Sequence, residues 1–104
     1  MRELQQEIVL SGEWLYDGTA PMPVHIVRMN YDYWYELAKA EGRLELGEKP
    51  DLNEEGCRYY LLFSDKPGPP WWPDESGGAS VAEAKRRAET ALPSEVQWRE
   101  EPSV

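Results

Sequence analysis

At 104 residues the chain makes one domain, and 20 acidic against 11 basic residues leave a formal charge of −9. That charge repels phosphate backbones and anionic lipid, which disfavours nucleic acid and membrane surfaces and makes a cationic partner the natural complement. A single His (His25) and a single Cys (Cys57) offer no pair of soft metal ligands and no intrachain disulfide, so no cofactor or metal is expected.

The first segment, about Gln6 to Tyr16, reads as a strand. Ile8, Leu10, Trp14 and Tyr16 share one parity, and Gly12 marks a bend or bulge. Asp17-Gly18 is a turn signal, because Gly accepts positive φ without a Cβ clash. Pro21-Met22-Pro23 forces an extended lead into a second strand, Val24 to Met29, which would pair antiparallel with the first through a loop of several residues.

Asn30 to Gly42 carries two patterns. Tyr31, Tyr33, Tyr35 and Leu37 alternate like a strand, whereas Trp34, Leu37, Ala38 and Glu41 follow helical spacing. Asn30 or Asp32 can cap a helix, Glu36 to Glu41 are good helix formers and Gly42 would end it, so a short helix over about Asp32–Glu41 is preferred. Arg43 to Gly56 is the least structured stretch, with a short strand at Leu44 and Leu46 and a turn at Asn53-Glu54-Glu55-Gly56. Cys57 to Phe63 is apolar on both parities and is expected as a strand covered on both faces, central in the sheet.

Lys66 to Pro73 is a Pro-rich loop that Gly77-Gly78 extends. The main helix, Ser80–Leu92, opens on a Ser80/Glu83 capping box and carries one apolar stripe of Val81, Ala84, Ala88, Ala91 and Leu92. Pro93 stops it. Val96 and Trp98 then make a last strand, and residues 100–104 are expected to be a frayed tail. The pattern predicts an α+β single domain: a mostly antiparallel sheet of about four strands with the Ser80–Leu92 helix on one face.

No motif names a reaction. Asp51-Leu52-Asn53-Glu54-Glu55-Gly56 resembles the opening of a calcium-binding EF-hand loop, but Leu62 stands where the closing bidentate Glu is required. The run therefore reads as a solvated acidic turn. Cys57 beside Arg58 is not expected to be a catalytic thiol, since neighbouring strand residues point to opposite faces. His25 should face away from Val24 and Ile26, toward a surface or an interface. Lys85-Arg86-Arg87 is a solvated basic face.

The abundant residues are aromatic. Trp71 and Trp72 lie in the Pro-rich loop, whose Pro-x-x-Pro spacings suit polyproline II recognition, and Trp is enriched in interface hot spots. Tyr31, Tyr33 and Trp34 form a second group flanked by Asp32 and Glu36. Both groups also suit plain core packing. The residues favour a cytoplasmic, non-enzymatic module that binds a protein partner, or itself, through the aromatic loop and the acidic surface. An aromatic pocket for a small ligand is the alternative, and a small enzyme using His25 or carboxylates is a more distant one.

Overall fold

The computed structural model describes residues 4–63 and 71–99. The Lys66–Pro70 part of the Pro-rich loop and the tail at 100–104 lie outside the described residues. The elements are β1 (Gln6–Tyr16), β2 (Ala20–Met29), α1 (Tyr33–Ala40), β3 (Arg58–Leu62), β4 (Glu75–Gly78), α2 (Val81–Ala91) and β5 (Gln97–Arg99). They form an α+β domain whose five strands make one open antiparallel sheet in the order β4-β3-β2-β1-β5. The centre of the sheet is β2, with β3 one place toward an edge.

A tight turn, rather than a loop of several residues, joins β1 to β2. Asp17 and Gly18 both have positive φ (53° and 71°), and the Thr19 amide donates to the Tyr16 carbonyl at 3.0 Å. Two left-handed residues in succession match the right-handed twist of the flanking strands. Pro21 and Pro23 consequently lie inside β2, opposite Leu15 and Glu13. They sit beyond the stretch that β3 covers, which begins at His25. Proline fits there because an uncovered edge asks for no N–H donor.

The bulge in β1 falls between Ile8 and Leu10, not at Gly12. It changes which face each residue reaches. Leu10 and Trp14 pack with Val24, Ile26, Tyr59 and Leu61 under α2. Ile8 packs on the other side, with Val27, Met29, Tyr60 and Leu62. The sheet therefore buries both faces. Gly12 serves a different purpose. A Cβ there would meet the Trp98 ring at 2.8 Å and the Gln97 carbonyl at 3.0 Å, so its absence lets β5 lie close against β1.

The α2 helix packs by its smallest residues. Ala84 and Ala88 are fully buried against the sheet, Val81 and Leu92 are half-buried, and Ala91 is exposed. Ser80 Oγ accepts from the Glu83 amide at 3.1 Å, whereas the Glu83 carboxylate is engaged by Arg87 at 2.7 Å. The strand β4, Glu-Ser-Gly-Gly, is one that propensity argues against. Its glycines allow the close packing instead. A Cβ on Gly77 would lie 3.0 Å from both the Ala84 methyl and the Tyr59 carbonyl carbon. No strand forms at Leu44 or Leu46, and Leu46 is wholly exposed. Leu44 is half-buried, so only one of the two side chains is covered at all, too little to hold a ladder.

Candidate functional site

The face of the sheet away from α2 is aromatic. Tyr60 is fully buried at its centre, surrounded by Val27, Met29, Tyr31, Leu62 and Trp71. The α1 helix lies at the rim of this cluster. Asp32 caps it, with Oδ1 accepting from the Tyr35 amide at 3.2 Å. The second carboxylate oxygen of Asp32 accepts from the Asp51 amide at 2.9 Å, which ties the acidic loop to the helix start. The Tyr33 amide donates to the Tyr60 hydroxyl at 2.7 Å. Trp34 tilts across the Tyr60 ring with centroids 5.4 Å apart, and Tyr33 meets the edge of Trp34 at 5.5 Å. Such offset and edge-on ring pairs are the favoured aromatic geometries.

Gln6 closes the cluster on its other side. Its side-chain amide donates to the Trp71 carbonyl at 2.9 Å and accepts from the Trp71 amide at 2.7 Å. The same nitrogen contacts the Tyr31 hydroxyl at 3.0 Å. One side chain thus does for Trp71 what a neighbouring strand would do, and Trp71 is 9% exposed. Beside it, Trp72 is 62% exposed, next to exposed Asp74 and Glu75. Asp74 Oδ2 accepts from the Phe63 amide at 2.8 Å, and the Asp74 amide donates to the Leu61 carbonyl at 2.9 Å. The backbone around Trp72 is therefore held on both sides.

Of the five aromatic residues singled out from the sequence, Tyr31, Tyr33 and Trp71 converge on the Tyr60 cluster. Trp34 also stacks there yet stays 41% exposed. Trp72 is the most exposed of the five. The sequence did not mark Gln6, because its partner lies 65 positions away, nor Tyr60, which sits unremarked in an apolar run. Burial pushes the Tyr60 hydroxyl well above the ordinary tyrosine range, with Asp32 adding to the shift. Burial also raises Tyr31.

The remaining chemistry-bearing residues are placed as follows. His25 Nδ1 and Ser11 Oγ share a hydrogen bond of 2.7 Å across β1 and β2. In the Asp51–Gly56 turn, Asn53 Oδ1 accepts from the amides of Glu55 and Cys57, each at 2.9 Å. Asp51 pairs with Arg58. These bonds account for the turn as local structure. Among the described residues no cluster of three His, Cys, Asp or Glu could hold a metal ion, and no helix is long and apolar enough to cross a membrane.

The chain is a small α+β domain with a five-stranded open antiparallel sheet and an aromatic face against which Trp34 stacks while remaining exposed. No protein-family model, curated protein or solved structure matches it.

Proposed function

We propose that this domain is a cytoplasmic, non-enzymatic interaction module that docks a protein partner through its exposed tryptophans, Trp72 above all and Trp34 as a second ring. The observation that carries this reading is the split between neighbours. Trp71 is buried and fixed through both of its backbone groups, while Trp72 keeps 62% of its surface exposed. An exposed Trp held on a fixed backbone suits a contact, since Trp is enriched among the residues that dominate binding energy. A rigid frame beneath it limits the entropy lost when a partner orders the side chain.

The charge supports a basic partner. Asp74 and Glu75 flank Trp72, Asp32 and Glu36 flank Trp34, and the whole chain carries −9. Lysine or arginine from the partner would find both an aromatic face and a carboxylate at each tryptophan. Self-association through the same ring is the version of this reading that needs no second protein. The test uses wild-type and Trp72→Ala chains as matched baits. Each recovered protein is then purified and its affinity measured directly, alongside sedimentation of the chain alone. Trp72→Ala should weaken the complex about thirtyfold or more, the scale of a hot-spot residue. A purified complex or dimer indifferent to Trp72→Ala contradicts the proposal.

A further inference from the structure

The α1 helix is held to the sheet by one turn. It is eight residues long, and none of them is buried. An isolated helix shorter than about 12–15 residues is marginal in water, so most helical stability comes from packing an apolar face. Here that face is thin: Trp34 is 41% exposed and Leu37 39%. Neither buried cluster takes a residue of the helix from Leu37 onward. What fixes α1 is gathered at its start. The Tyr33 amide donates to the Tyr60 hydroxyl, and the Trp34 and Tyr33 rings meet the Tyr60 ring with centroids 5.4 and 6.3 Å apart. Asp32 accepts from the Tyr35 and Asp51 amides through its two carboxylate oxygens. Before the helix, Tyr31 is anchored in the aromatic cluster. After it, Gly42 has a φ of 71°, and residues 43–57 form neither helix nor strand.

We propose that α1 is a lid on the aromatic face, latched at Tyr60 and Asp32, which opens as a unit while the sheet stays folded. Such local openings fall to elements with few buried apolar contacts. Closed, the lid covers the Tyr60 hydroxyl and sets Trp34 on the Tyr60 ring. Opening releases both. Since Trp34 is the second docking ring proposed above, closure is the form that presents it on a fixed base. That consequence rests on the docking reading, whereas the opening does not.

The test is native-state hydrogen exchange on the full chain, read amide by amide at rising low concentrations of guanidinium. The α1 amides, Leu37 to Glu41, should exchange through an opening about a hundredfold or more populated than the one that exposes Ile26, Val27 and Leu61. Denaturant should barely change it, because little surface is released. Asp32→Ala should speed all the α1 amides by a common factor of about five, the scale of a lost cap, and leave Ile26, Val27 and Leu61 unchanged. Trp34→Ala separates a lid from simple fraying. Alanine is the better helix former, so a helix that only frays exchanges more slowly in this variant, whereas a lid that has lost its stacking on Tyr60 exchanges faster throughout. The proposal is overturned if α1 exchanges in step with β3, if Asp32→Ala affects only the first turn, or if Trp34→Ala slows exchange.

Discussion

Gln6 and Trp71 are joined head to tail: the amide of one side chain satisfies both backbone groups of the other residue, at 2.9 and 2.7 Å. This pairing connects the first strand to the C-terminal part of the Pro-rich loop. It gives the aromatic face a fixed floor.

Gln6→Glu keeps the acceptor for the Trp71 amide but removes the donor to the Trp71 carbonyl and the Tyr31 hydroxyl. Leaving such part-buried groups unmade costs about 1–3 kcal/mol. Denaturant unfolding should show a loss of that size. Acrylamide should also reach Trp71 more readily than in the wild type.

Gly12 and Trp98 predict a local failure. Gly12→Ala puts a methyl within 2.8 Å of the Trp98 ring and 3.0 Å of the Gln97 carbonyl. The short β5 has to move outward, and the Trp98 indole then strains its 3.0 Å bond to Glu89. Overpacking of this kind costs about 1–3 kcal/mol. Hydrogen exchange should show protection lost first at Gln97 to Arg99, ahead of β2 and β3.

Tyr60 sets a pH dependence. Burial raises its hydroxyl above the ordinary value, as it does for Tyr31. The folded state therefore holds these protons more tightly than the unfolded chain does. Their contribution is fully present below about pH 10, the unfolded tyrosine value, and is lost as pH rises above it. Unfolding free energy measured from about pH 8 upward should be level at first and then fall as tyrosinate forms. Tyr60→Phe should flatten the fall. It should also cost about 1–3 kcal/mol at neutral pH, because the Tyr33 amide loses its acceptor.

Local signals predicted local structure well. The strand over Gln6–Tyr16 and the Ser80 cap follow from alternation and side-chain hydrogen bonding within a few residues, and of the two cap candidates Asn30 and Asp32 the structure uses Asp32. What escaped the sequence depends on partners far along the chain. Ile8 and Leu10 share a parity, yet a bulge sends them to opposite faces, and no residue type at Val9 announces it. Glu75–Gly78 has poor strand propensity yet pairs with β3, and at Gly77 Tyr59 and Ala84 leave room only for glycine. Trp71 and Trp72 are indistinguishable as residues. Their different fates come from Gln6, from the Tyr60 cluster and from the Asp74 bonds to β3.

The most direct measurement is therefore the unfolding free energy of Trp71→Ala and Trp72→Ala made separately. Trp71→Ala should lose about 3–5 kcal/mol, as large-to-small changes in a core do. Trp72→Ala should stay within about 1 kcal/mol of the wild type, as surface changes do. Equal and large losses at both positions would make Trp72 a packing residue and leave the docking surface without its centre.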